Sequence, residues 1–504
     1  MSAPRVVVIG GGLAGIAAAL DCAEAGARVT LVEVRRRLGG AAYSFERDGL
    51  RLDNGQHVFL RCCVAYRSLL QRLGSTQRVF LQPRLEIPVL KPGARTATLR
   101  RGGLPGPLHL AGALARYPHL TLAQRLGVAR AALALTRLRS DDPALEEMTF
   151  GAWLAEHGQG PEAVAALWDL VALPTLNLPA AQASLGLGAF VFRTGLLSGA
   201  DAGDIGFHVA PLGETIGEPA AHALARAGVE VRLGWRAQRL LRIADGLEVR
   251  GQGGVSTGGK SGAGEGEHGD DAAGAGDRGG EGLSAEAAIV AIPHARAAAL
   301  LEPLLPQLAA RLQGIGHSPI VNLHVVYDRH VCDLPFAAGV GTPVQYLFDR
   351  TVAAGAPAGC QYLAISLSGA EREMSMSVDA LRERYLPALC ELLPRARAAK
   401  VESFLATREH AATFRAAPGV AALRPGPETA VKGLVLAGAW TDTGWPATLE
   451  GAVLSGHAAA STALHALGIE SREAPARMQA RVEIEDGSAL GRSLGSASKR
   501  TAPP

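Results

Sequence analysis

Near its start the chain carries short unbroken apolar runs punctuated by glycines. The run "RVVVIG" (5–10) sets four β-branched residues in a row, which predicts a strand buried on both faces. "GGGLAG" follows, then "IAAALDCAEAG" predicts a small-residue helix that stops at Gly26, and "RVTLVE" a second strand ending at Glu33. Further on, "AGVEVRLGWRAQRLLRIADGLEVRG" (227–251) reads as strand, turn and strand. "AEAAIVAIPHARAAALL" (285–301) gives a strand ending at Pro293 and then a helix. Near the far end, "LVLAGAWTDTGWPATLEGAVLSG" (434–456) is an apolar strand, a Gly/Thr/Asp turn and a small-residue helix. Strands feeding helices through glycine turns predict an α/β (α+β) fold.

Two stretches break this pattern. Residues 251–284 hold 14 glycines and six acids with almost nothing large and apolar, and are expected to form a solvated loop inserted between strands. Residues 469–504 lack periodic hydrophobics and read as a disordered tail.

The glycine turn carries the first chemistry. Gly10-x-Gly12-x-x-Gly15, with Gly11 and Ala14 between, lies between a strand and a helix, and Glu33 ends the next strand 18 residues after Gly15. Gly10 makes the tight turn, Gly12 lets backbone N–H groups approach a pyrophosphate, and Gly15 permits close helix packing. Glu33 accepts from an adenosine ribose, which favours an unphosphorylated ribose and hence NAD or FAD over NADP. A second glycine pair, Gly39 and Gly40, and a hairpin-like return to "DNGQH" (53–57) supply backbone contacts that a longer dinucleotide needs. The spacing points to FAD.

These blocks resemble the flavin-containing amine oxidase and carotenoid desaturase superfamily. The resemblance implies a Rossmann-like FAD-binding domain of the glutathione-reductase/amine-oxidase type, interleaved with a substrate domain of helices and a mixed sheet. On that reading residues 1–70, 205–300 and 420–468 build the FAD domain, and 71–204 and 301–419 the substrate domain. It also implies cofactor contacts at Arg37, Ala41, Asn54, Gln56, Ala237, Gly438, Asp442, Thr448, Leu449 and Glu450. Ala41 stands where the superfamily usually has an arginine, and Thr448 where the amine oxidases place an aromatic cage residue. The blocks "LDNGQHVFLRCCVAYRSLLQRLG", "TFGAWLAEHGQGPEAVAALWDLVALPTLNLP" and "GAWTDTGWPATLEGAVLSG" are similar, more narrowly, to the hydroxysqualene dehydroxylase family of hopanoid pathways. That resemblance implies reductive removal of an allylic hydroxyl. Such chemistry needs proton handling beside the flavin, for which His57 and Asp53 are the candidates, and a dry cavity, where Trp440 and Trp445 offer ring faces to a cation. The rivals are an isoprenoid or carotenoid desaturase, an amine oxidase, and a flavin-free prenyl-lipid carrier.

Composition narrows the setting. Of 504 residues 48% are hydrophobic, yet no apolar run is long and uncharged enough to span a bilayer and no leader precedes the first strand, so a cytoplasmic protein is expected. The six cysteines form no C-x-x-C pair, and no metal site is expected. The net charge is only +3, but residues 72–139 hold 12 Lys or Arg against one acid, Glu86. That segment is expected to touch anionic membrane lipids, from which a triterpenoid substrate would be drawn; nucleic acid is not expected as a partner.

Overall fold

The computed structural model describes residues 3–139, 142–253 and 281–469. Its first sheet is parallel and five-stranded. It contains β1 (Arg5–Ile9), β2 (Arg28–Glu33), β3 (Glu230–Leu233), β4 (Ala287–Val290) and β5 (Leu434–Leu436), in the order β3-β2-β1-β4-β5. Strands from both ends of the sequence therefore share this sheet, with β4 between β1 and β5, and β1 and β4 are almost wholly buried. Two helices cover one face of this sheet. α1 (Leu13–Glu24) follows β1 directly, and α2 (Leu449–Ala466) follows β5. They pack so closely that a Cβ added at Gly456 would stand 2.3 Å from the carbonyl oxygen of Ala14.

A three-stranded antiparallel ribbon, Trp235–Ile243, Gly246–Gly253 and Glu281–Ala285, adjoins the first sheet. This corrects the inserted loop expected over 251–284. Gly251 pairs with Glu281, and Arg250 with Gly282, so both ends of the stretch are strand. Ladder hydrogen bonds come from the main chain and need no large side chains, and the ring of Trp235 covers the bare backbone of Gly251. The rest of the expected loop, 254–280, and the expected tail from residue 470 on lie outside the described residues.

A second large sheet is mixed and seven-stranded. Its order is Val401–Phe414, His317–Tyr327, Gln361–Ser368, Tyr346–Asp349, Phe336–Gly339, Glu86–Leu90, Ala97–Arg100. All pairs are antiparallel except the one joining Phe336–Gly339 to Glu86–Leu90. Helices between residues 111 and 197 pack beside it around Phe150, Trp153, Trp168 and Phe192. The expected α/β class with a nucleotide-binding parallel sheet and a mixed sheet is the architecture observed.

Candidate active site

The strand order reverses direction between β1 and β4, which in open parallel sheets opens a crevice at the carboxyl ends of the strands. Gly10 leaves β1 with φ 113°, and a Cβ there would meet the Ala291 carbonyl oxygen at 2.4 Å. Gly12 is the N-cap of α1 and no side chain caps this end, so the first-turn N–H groups are available to an anion. The Gly39–Gly40 turn docks on the same place: Gly39 N donates to Gly11 O at 2.9 Å, and Gly40 lies against Gly12. A Cβ on Gly12 would contact no protein atom closer than 3.7 Å, whereas one on Gly15 would collide with Gly10 O at 1.9 Å. Gly15 is thus required by packing within the protein, while Gly12 keeps open a cradle bounded by two glycine turns and a helix start. That donor set fits the pyrophosphate of FAD.

Around the cradle, Glu33 is buried and accepts from Gly11 N at 2.6 Å and Arg35 N at 2.8 Å, which fixes its carboxylate at the end of β2. Arg37 donates to Gly40 O at 3.0 Å and stacks its guanidinium 3.6 Å over the Tyr43 ring, so it braces the second glycine turn. Exposed Ala41 offers only its carbonyl, which accepts from Asn54. Asn54 is buried and pins this region to the seven-stranded sheet: its Nδ2 donates also to Glu409, and its carbonyl accepts from Asn322 at 2.8 Å and Thr407 at 3.1 Å. Ala237 sits half-buried at a bulge in the antiparallel ribbon. From the other side, Gly438 N donates to Ser455 Oγ, exposed Asp442 caps its own turn at Gly444 N, and Thr448 Oγ1 accepts from Gly451 N as the N-cap of α2, with half-buried Leu449 next.

Three expected roles change here. The carboxylate of Glu450, the second residue of α2, is buried and accepts from Ala65 N and Tyr66 N at 2.9 and 2.7 Å. It caps the helix Val64–Leu73 from outside, and only its main chain is left for a cofactor. Burial raises its pKa, an effect those two N–H groups oppose. Trp440 is a core residue whose indole donates to Ile292 O at 2.9 Å, so its face is not free for a cation. Trp445 is half-buried, with an edge contact to Phe190. Asp53 is no free proton donor, because Arg350 pairs with it at 2.8 Å and Leu212 N and Ser44 Oγ donate to its other oxygen.

Beside that ion pair is a pocket lined by Gln56, His57, Phe207, His208, Leu212, Phe348 and Arg350. Two imidazoles are set in it. His208 Nδ1 lies 3.0 Å from the His57 carbonyl and is therefore the N–H; Nε2 then accepts from Tyr66 OH at 2.7 Å. Burial drives the pKa of His208 down to about 3, with His57 and Arg350 adding to the effect. His57 Nδ1 lies 3.1 Å from Gly55 O, which makes Nδ1 the donor and Nε2 the acceptor, and burial lowers its pKa as well. Among the described residues Gln56 Nε2 is buried without a hydrogen-bond partner. Sequence reasoning missed Arg350 and His208. The signal for Arg350 is the Asp-Arg pair that closes the apolar "YLFDR", but nothing there names Asp53 as its partner 297 residues away.

Comparison with known proteins covers both sheets. The chain matches the family described as flavin containing amine oxidoreductase over residues 13–464. It is 30% identical to the hydroxysqualene dehydroxylase of Rhodopseudomonas palustris, over 92% of this chain and 98% of that one. It is 28% identical to the enzyme of the same name from Sinorhizobium fredii, over 91% and 98%. A solved oxidoreductase from Methanosarcina mazei superposes with a TM-score of 0.67 at 16% identity, covering 90% of this chain and 98% of that one.

Proposed function

The chain belongs to the flavin containing amine oxidoreductase family, and from that premise we propose that it removes the allylic hydroxyl of hydroxysqualene reductively to give squalene. It is an FAD-dependent oxidoreductase. The observation that carries the finer reading is the end-to-end match to hydroxysqualene dehydroxylases, which spans the seven-stranded sheet as well as the glycine cradle. Thr448 supports it: where an amine oxidase places a ring, this chain has a hydroxyl occupied in capping α2.

In this reading 1–70, 205–300 and 420–468 hold the cofactor, and 71–204 and 301–419 hold the substrate. Gly10, Gly12 and the start of α1 receive the pyrophosphate, and Glu33 receives the adenosine ribose. The Gly438 turn and the start of α2 close the far side of the cofactor. Bound reduced FAD would supply the hydride and the proton that together replace the hydroxyl and release its oxygen as water. The chain's own residues do the rest. Phe207, Leu212 and Phe348 exclude water. Neutral His57 accepts a hydrogen bond from the hydroxyl at Nε2 and orients the C–O bond, while Gln56 Nε2, a donor with no partner among the described residues, hydrogen-bonds the oxygen as charge gathers on it. The Asp53–Arg350 pair holds the loop that carries both. Such a substrate is nearly insoluble in water. No helix among the described residues is long and apolar enough to cross a membrane, and we place the lipid contact in the basic segment 72–139, on the inner membrane face.

The test is anaerobic incubation of the photoreduced holoenzyme with hydroxysqualene and identification of the product. Squalene is expected; an additional double bond formed instead by the oxidised holoenzyme identifies a desaturase, and oxidation of simple amines by it an oxidase.

A further inference from the structure

Part of the charge of segment 72–139 is used inside the protein. Arg72 pairs with Asp21 and Glu24, Arg100 with Glu86, and Arg101 with the fully buried Asp204. Arg78 donates to Glu214 O, and Arg125 folds back onto the carbonyls of Leu120 and Ala115. Arg84, Lys91, Arg95 and Arg116 stay exposed, and beside these cations the segment presents leucine. Leu104, Leu108, Leu122, Leu126 and Leu133 are between 48% and 70% exposed, and among the described residues only one other leucine, Leu233, is counted with the exposed large hydrophobics.

Three of the five share one helix. Leu122–Thr136 is capped by a Thr121/Gln124 box and buries Gly127, Val128, Ala131 and Leu135 on its inner side. At about 100° per residue, positions 122, 126 and 133 fall within about 40° of one another on the opposite side. Arg130 and, just past the helix end, Arg137 border one edge of that stripe, are exposed, and make no ion pair among the described residues. No acid occurs between Glu86 and Asp141. A helix with apolar residues on both sides, its outward leucines bordered by cations, suits the boundary of an anionic bilayer: acyl chains take the leucines and headgroup phosphates take the arginines.

We propose that the outward face of helix Leu122–Thr136 inserts into an anionic lipid surface through Leu122, Leu126 and Leu133, with Arg130 and Arg137 at the headgroups and Leu104 and Leu108 on the preceding segment adding to the contact. This deepens the membrane contact proposed above, and replaces a purely electrostatic attraction with shallow apolar insertion. It rests on no particular substrate.

The experiment is co-sedimentation of the FAD-loaded protein with phosphatidylcholine vesicles, with and without phosphatidylglycerol, across a salt series. The wild type is expected to bind the phosphatidylglycerol vesicles and to keep part of that binding at high salt. The triple variant Leu122→Ser, Leu126→Ser, Leu133→Ser is expected to lose at least tenfold at every salt concentration while keeping its flavin spectrum. Arg130→Gln with Arg137→Gln is expected to lose the preference for phosphatidylglycerol. Turnover of detergent-solubilised hydroxysqualene by the leucine variant should match wild type; absence of turnover in both proteins rejects the reaction and leaves the docking face standing. Binding by the leucine variant equal to wild type overturns the proposal, as does wild-type binding abolished by salt. A dimer that the leucine substitutions dissolve, with no vesicle binding, overturns it in favour of a second copy of the chain.

Discussion

Asp53 Oδ2 and Arg350 Nη2 meet at 2.8 Å with both side chains at most 8% exposed, and this ion pair joins the "DNGQH" loop to the end of a strand in the seven-stranded sheet. A buried pair contributes little net energy when intact, but removing one partner strands the other charge. Asp53→Asn should therefore cost about 3–5 kcal/mol of stability. Arg350→Met should cost a similar amount, and the double variant Asp53→Asn/Arg350→Met clearly less than their sum. Denaturant melts of the four proteins measure this. If Asp53→Asn melts like wild type but is inactive, Asp53 acts as a catalytic group and the bracing role is wrong.

The two glycines of the N-terminal turn should separate folding from cofactor retention. Gly15→Ala drives a Cβ into Gly10 O and is expected to give little soluble protein. Gly12→Ala meets the protein only at an ordinary van der Waals contact, 3.7 Å from Gly40 Cα, so it should fold with near-normal far-ultraviolet circular dichroism yet purify without flavin absorbance. Glu33→Arg should also lose flavin, because a cation would replace the ribose acceptor. Full flavin occupancy in Gly12→Ala would remove the pyrophosphate from this cradle.

Sequence and structure agree most where the signal is local. A run of β-branched residues, a glycine turn and an acid at a strand end dictate backbone shape within a few residues, so β1, α1 and β2 were legible directly. The pocket was not, because its members approach from residues 53, 208 and 350 and no local pattern encodes which strand ends converge. Glu450 shows the same limit. Its place at the start of α2 could be read, but that its carboxylate turns away to cap the helix Val64–Leu73 depends on how two helices pack. Sequence counts the charges of the basic segment without showing that Arg72, Arg100 and Arg101 are paired within the protein. The exposed leucine stripe became visible only once the inner side of its helix was known.

His208 and His324 predict the acid side of the stability profile. Burial lowers each pKa to about 3. His324 is held between Tyr362 OH and Thr407 Oγ1, as His208 is between Tyr66 OH and the His57 carbonyl. Between pH ~6.5 and ~3 the unfolded chain binds a proton at each site that the folded chain does not, so stability falls as pH falls through this window. Each site should remove about 2 kcal/mol by pH ~5. Melting temperatures measured across that window should decline steadily, and His208→Gln should flatten the slope. An unchanged slope in this variant would show that His208 titrates normally in the folded protein.

Gln56 sets stability against activity. Its Nε2 is a buried donor left without a partner among the described residues, which costs about 1–3 kcal/mol relative to a satisfied or apolar group. Gln56→Leu keeps nearly the same volume and removes that unmet demand, so the resting enzyme should become more stable by about 1 kcal/mol. If the amide donates to the departing oxygen, the same change removes a hydrogen bond that strengthens as the C–O bond breaks. In that case kcat should fall on the order of tenfold to a hundredfold with KM little changed. Gln56→Glu offers an acceptor in place of the donor and should also be slow, without the gain in stability. Thermal melts and single-turnover oxidation of the reduced flavin by hydroxysqualene measure the two quantities separately. A Gln56→Leu enzyme that is more stable and equally fast would leave the leaving oxygen to another group; one that is less stable would mean that the amide has a partner within the folded protein.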